Sequence, residues 1–77
     1  MEKQQKQETP RERFRRLASL RTNIILKRLK VLGNCSNRHA YEYYEDDIEK
    51  IFSEIEKEVK RIKAKFYFPK KKGEFKL

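Results

Sequence analysis

The chain has few of the residues that build catalytic and metal sites. Its 77 residues include one cysteine, one histidine, two glycines and no tryptophan. One cysteine cannot form an internal disulfide, and one cysteine with one histidine is too few for a zinc site. The glycines, Gly33 and Gly73, are too far apart for a glycine-rich phosphate loop. We therefore expect a protein that is not an enzyme, with no catalytic residue, no metal and no cofactor.

Cys35 and His39 are four residues apart, a spacing that would allow a thiolate–imidazole pair. A cysteine nucleophile also needs an oxyanion site and a substrate cleft, which a small helical chain hardly provides. We expect Cys35 instead to be a small residue tucked into a corner of the fold.

Long apolar runs are also missing. No segment approaches the length of a membrane span or of a signal-peptide core, so we expect a cytoplasmic protein with no membrane insertion. Charged residues make up 43% of the chain and apolar residues 36%, a balance close to that of disordered proteins. Folding must therefore depend on the pattern of the apolar residues.

Basic residues dominate, but unevenly. The net charge is +9, divided into +7 over residues 1–33, −5 over 34–59 and +7 over 60–77. Two basic blocks that flank an acidic one favour binding of a polyanion by the ends of the chain.

The stretch TPRERF predicts the start of a first helix. Thr9 suits the N-cap, Pro10 suits the first helical position, and Glu12 completes a capping box with Thr9. Apolar residues then follow one stripe at about 100° per residue. This apolar stripe consists of Phe14, Leu17, Ala18, Ile24, Ile25, Leu29, Val31 and Leu32. Gly33 is expected to end the helix in the left-handed conformation, which gives a helix over residues 10–32.

A second helix is predicted over residues 45–66. Its first residues, EDD, place negative charge at the positive end of the helix dipole, and Pro69 marks the latest stop. Six apolar residues at spacings of 4, 3, 4, 3 and 4 form a coiled-coil seam, which we propose as the partner or core face: Ile48, Phe52, Ile55, Val59, Ile62 and Phe66.

These elements predict an all-α fold, an antiparallel two-helix hairpin with coiled-coil-like packing and mobile basic termini. Residues 1–8 are assigned to a disordered arm, 9–68 to the hairpin with its corner at 33–44, and 69–77 to a basic tail. Because a hairpin of this size is marginally stable alone, we expect a homodimer or docking in a larger complex.

Arg21 and Arg28 fall inside the apolar stripe of the first helix, two turns apart. Three interpretations fit them. Their stems cover apolar surface while their charges reach water, they pair with Glu49, Glu54 or Glu56 in the hairpin, or they contact a bound polyanion.

Arginine outnumbers lysine six to two between residues 11 and 30, and its planar fork suits bidentate contacts with phosphate. RNA is favoured over DNA because no major-groove reading unit is recognisable, and because asparagine and tyrosine in the corner suit unpaired bases. The candidate nucleic-acid-binding residues are Arg11, Arg13, Arg15, Arg16, Arg21, Lys27, Arg28, Lys30, Asn37, Arg38, Lys70, Lys71 and Lys72.

The alternative function is a protein-interaction module or an inhibitor that docks through the seam of the second helix on a nucleic-acid-associated protein. A basic amphipathic helix also suits an anionic membrane surface, but arginines inside the apolar stripe and the lack of tryptophan count against it.

The stretch from Leu17 to Phe66 resembles a group of small basic bacterial and phage proteins seen around mobile elements. The shared pattern is a basic helix with Arg-Thr-Asn, the corner Gly-Asn-x-Ser-Asn-Arg with Tyr-x-Tyr, and an acidic-then-basic second helix. That pattern often has threonine where this chain has Tyr44, the position before the second helix. The resemblance implies a bacterial or phage origin and brings no known activity.

Overall fold

A computed structural model describes residues 7–69 of the chain. The elements in order are helix α1 (Pro10–Gly33), a short 3₁₀ turn (Asn34–Ser36) and helix α2 (Glu45–Lys63). No strand occurs among the described residues, and the all-α class is confirmed. The chain divides into two units, one ending at Glu42 and one beginning at Tyr43, which are described in turn.

The start of α1 matches the predicted capping box. The Glu12 backbone N–H donates to Thr9 Oγ1 at 3.1 Å, and the Thr9 backbone N–H donates to Glu12 Oε1 at 2.9 Å. Pro10 follows as the first helical residue, where its missing N–H costs no hydrogen bond. Two of the amide donors that a helix start leaves without partners are thereby satisfied.

The end of α1 differs from the prediction. Gly33 has φ −58° and ψ −26°, which is right-handed helical backbone, so the expected left-handed cap is wrong. The chain tightens here into the 3₁₀ turn, and the Asn34 N–H is directed at the carbonyls of Val31 and Leu32. Because the Asn34 N–H reaches carbonyls near the end of α1 from a right-handed turn, a left-handed residue is not needed there.

Asn37 organises the corner that follows. Its backbone carbonyl accepts hydrogen bonds from Ala40 N at 3.1 Å and Tyr41 N at 2.9 Å, while its side-chain Oδ1 accepts one from His39 N at 3.0 Å. The last contact is an Asx turn, a local side-chain substitute for a backbone turn. Cys35 lies in the 3₁₀ turn with its thiol free and exposed, so the expectation of a tucked-in cysteine is wrong.

Helix α2 begins after Tyr44, whose backbone N–H donates to Asp47 Oδ2 at 2.9 Å. This contact supplies one half of a capping box, although tyrosine replaces the usual small polar cap residue. The helix ends at Lys63, three residues before the predicted end. Lys65 N and Phe66 N donate to the carbonyls of Ile62 and Lys63, at 3.0 and 3.1 Å, so the chain leaves the helix through tight turns.

None of the described residues is buried. On α2 the seam residue Ile55 is half-buried, and the others are exposed, from 36% for Ile48 to 59% for Val59. Helix α2 is more strongly amphipathic than α1. Among the described residues, neither helix combines the length and the apolar character that crossing a bilayer requires. Each helix thus presents an apolar face, and the antiparallel hairpin stays a prediction.

Candidate nucleic-acid interface

All the candidate nucleic-acid-binding residues among the described residues are exposed. Eight of them project from α1, while Asn37 and Arg38 lie in the corner that follows it. Lys70, Lys71 and Lys72 lie outside the described residues. The helix therefore carries most of the interface that the sequence predicts.

One sector of α1 is polar and basic along most of its length. At about 100° per residue, Arg16, Lys27 and Lys30 fall within about 60° of one another, with Asn23 between them. Arg16 and Lys30 are 14 residues apart, which is about 21 Å along the axis. This basic sector, defined by Arg16, Lys27 and Lys30, lies away from the apolar stripe of the helix.

Glu8 forms ion pairs with two arginines of the interface. Its carboxylate accepts hydrogen bonds from Arg16 Nε at 2.7 Å and Arg16 Nη2 at 2.8 Å, and its Oε1 is 4.0 Å from Arg13 Nε. The hydrogen bond from Arg16 holds the pKa of Glu8 below its ordinary value of 4.5, and it raises the pKa of Arg16 in return. Arg16 thus binds one carboxylate in a bidentate manner through its planar fork.

The other arginines of α1 differ in their surroundings. The guanidinium carbon of Arg11 lies 6.0 Å from the centre of the Phe14 ring, within the range of a cation–π contact. Arg21 and Arg28 lie on the apolar stripe, and within residues 7–42 neither forms an ion pair. Pairing of these two arginines with the acids of α2 would join the two units and stays a prediction.

Two features of this region escaped the sequence analysis. Glu8 was assigned to the arm, yet it accepts both hydrogen bonds from Arg16. Asn37 was expected either to satisfy backbone groups of the corner or to contact RNA, but its specific contact with the His39 N–H was not predicted. The spacing of Asn37 and His39 is a recognisable signal for an Asx turn. Glu8 and Arg16 are eight residues apart across a helix start, and no simple spacing rule predicts that contact.

The histidine and the acidic side chains are arranged as follows. His39 uses its backbone N–H in the Asx turn, and within the described part of the chain no three His, Cys, Asp or Glu side chains are grouped to hold a metal ion. An open recess on the surface of α2 is lined by polar side chains: Asp46, Glu49, Lys50, Ser53, Glu54 and Lys57.

Searches of protein-family models, curated proteins and solved structures found no match to the chain. A proposal for function must therefore rest on the charges, contacts and exposed groups described above.

Proposed function

We propose that this chain is a non-enzymatic RNA-binding protein that contacts the phosphate backbone through α1 and the basic tail. The observation that carries the proposal is the placement of four arginines in the first two turns of α1: Arg11, Arg13, Arg15 and Arg16.

Positive charge at this end of a helix opposes the helix dipole. A helix whose surface serves only solubility would carry acids here and cations at its other end. Glu8, which precedes α1, and Glu12 within it offset only part of this charge, and Glu12 is engaged in the capping box. The four arginines together make this end of α1 strongly attractive to phosphate.

The exposed aromatic residues favour a single-stranded ligand. Tyr67 and Phe68 are 77% and 85% exposed, and they immediately precede the basic tail. Proteins that bind unpaired nucleic acid combine cations for the backbone with aromatic rings on which bases stack. The corner adds asparagine and tyrosine side chains of the type that contact unpaired bases.

The predicted antiparallel hairpin is part of this proposal. It would place the acidic first half of α2 beside Arg21 and Arg28, giving these two cations nearby partners. It would also leave the basic sector open to RNA, because the apolar stripe of α1 would face α2 and the basic sector points away from that stripe. The expected setting is the cytoplasm, alone or within a larger ribonucleoprotein.

Two exposed lysines provide a matched test. Lys27 lies in the basic sector of α1, and Lys50 lies on the polar surface of α2. Fluorescence anisotropy with a labelled single-stranded RNA would compare Lys27→Gln with Lys50→Gln across a salt series. We expect Lys27→Gln to reduce the salt slope by about 0.7, the value for one phosphate contact on a single strand, and Lys50→Gln to leave it unchanged. Equal effects of the two variants would show that net charge alone governs binding.

A second candidate function is a protein-interaction module. The exposed seam favours it, since Phe52 is 45% and Ile62 is 39% exposed in a helix with a continuous apolar face. Affinity purification from the native host, with and without nuclease, separates the two functions. Partners lost after nuclease treatment indicate RNA binding, whereas partners that persist indicate docking through protein.

A further inference from the structure

The apolar face of α2 has the form of a coiled-coil seam. Three isoleucines alternate with Phe52 and Val59 along the helix, and the seam residues are exposed or half-buried. Exposed side chains at this spacing are stabilised when they pack as knobs into holes of a facing helix. The question is which helix faces them.

Charge along α2 identifies the partner. Residues 45–54 contain five acids against one lysine, whereas residues 55–65 contain five cations against two glutamates. A second α2 laid antiparallel would set the acidic half of each helix against the basic half of the other. Opposed helix dipoles favour the same orientation. A parallel pair would bring the acidic halves together and the basic halves together.

Helix α1 complements α2 less completely. In an antiparallel hairpin the acidic half of α2 would lie beside the basic carboxyl half of α1, which is favourable. The basic half of α2 would then lie beside residues 11–20, which hold four arginines and one glutamate. Only the acidic half of another α2 offers this basic half an opposite charge.

The seam also has an internal symmetry that an antiparallel pair requires. Its residues lie in pairs at equal distances on either side of Lys57: Ile55 with Val59, Phe52 with Ile62, and Ile48 with Phe66. We propose that two copies of this chain associate through antiparallel α2 helices centred on Lys57, with Phe52 of each copy packed against Ile62 of the other. Within α2, Phe52, Ile55, Val59 and Ile62 then each meet an apolar residue across the interface, whereas Phe66 lies beyond the end of the helix.

The flanking charges agree with this register at the ends of the helix and less well at its centre. Glu49 would lie beside Lys63 of the second copy, an opposite-charge pair that occurs twice. Near the centre Glu56 would approach its own counterpart, whereas Glu58 already hydrogen-bonds Arg61 of its own helix. Removing the charge at Glu56 should therefore tighten the dimer.

This inference rests on α2 alone and is independent of RNA binding. It is compatible with the proposed hairpin, because helices of a four-helix bundle contact two neighbours through the same seam positions. Failure of the dimer would leave the RNA proposal intact, and failure of RNA binding would leave the dimer intact.

Sedimentation equilibrium of the full chain without RNA tests association. We expect a reversible dimer, and we expect Phe52→Asp to weaken it by about 100-fold or more because it buries two uncompensated charges. Ser53→Asp is the matched control, since it adds the same charge on the side of α2 opposite the seam and should change little. Circular dichroism would verify that both variants keep α2 helical. A wild-type chain that remains monomeric at high concentration would overturn the proposal.

Cysteine substitution tests the register, in a Cys35→Ser background that removes the exposed native thiol. Phe52→Cys and Ile62→Cys proteins would be equilibrated in a glutathione redox buffer, separately and mixed. Identical positions in the antiparallel pair would lie ten residues, about 15 Å, apart, too far for a disulfide. We therefore expect the disulfide only between the two different variants. Efficient disulfides within either single variant would indicate parallel helices and overturn the register.

Discussion

Gly33→Ala is a sensitive test of how α1 ends. Gly33 has right-handed helical backbone, and a Cβ built on it would meet no atom within 4 Å. Alanine fits this backbone without strain and restricts the unfolded chain, so it should stabilise the end of α1 by about 0.5–1 kcal/mol. Had the glycine adopted the left-handed conformation expected from the sequence, alanine would cost about 1 kcal/mol or more instead.

Amide hydrogen exchange in the last turn of α1 is the appropriate assay, because it reports local opening. A gain of about 0.5–1 kcal/mol corresponds to about two- to fivefold slower exchange of the amides from Leu29 to Gly33. Chemical synthesis with D-alanine at position 33 provides the mirror control and should accelerate exchange at the same amides. Faster exchange with L-alanine and slower exchange with D-alanine would refute the right-handed end of α1.

Three further predictions concern contacts near the corner and the start of α1. Thr9→Ala should destabilise the first turn of α1 by about 1 kcal/mol because it removes the capping box, whereas Thr9→Ser should retain most of the stability that the box provides. Equal hydrogen-exchange rates at the Glu12 N–H in the two variants would count against the cap. The Glu8–Arg16 contact should be complete above pH 4.5 and lost as the pH falls through the lowered pKa of Glu8. In an NMR titration of Arg16→Gln, the pKa of Glu8 should return to its ordinary value. A Glu8 pKa that is the same in the variant and the wild type would disprove the contact. Asn37→Ala should speed hydrogen exchange at the His39 N–H, whereas Arg38→Ala should not. Arg38→Ala should instead lower the affinity for RNA. Loss of RNA affinity in Asn37→Ala, with unchanged exchange at His39, would make Asn37 the recognition residue.

The local features of the fold were the predictable ones. Thr9, Pro10 and Glu12 lie within four residues, so their capping box follows from sequence rules with no knowledge of distant contacts. The acids at the start of α2 were also predicted from local rules, whereas the hydrogen bond from the Tyr44 N–H to Asp47 was not. The all-α class followed from the periodicity of the apolar residues in the two helical segments.

The failures arose where several local solutions compete. Gly33 permits the left-handed cap without requiring it, and the chain ends α1 through a 3₁₀ turn instead. Phe66 continues the seam spacing, but the backbone has already left α2 after Lys63. The hydrogen bonds between Glu8 and Arg16 depend on the conformations of two long side chains, which composition and periodicity do not determine.

The arginines of α1 show why function was harder to predict than the helices. Their number and spacing could be read directly, and all of them are exposed. Whether they bind RNA depends on a partner, and an exposed cation alone does not distinguish a binding surface from a solvated one.

The salt dependence of RNA binding by the unmodified chain tests the central claim most directly. The measurement is the association constant for a short single-stranded RNA over a range of monovalent salt concentrations. Four exposed cations lie on the side of α1 that carries the basic sector: Arg13, Arg16, Lys27 and Lys30. If each contacts one phosphate, the logarithmic slope should be about −2.8 or steeper. Absence of binding, or affinity that hardly changes with salt, would contradict the proposed contact with the RNA backbone.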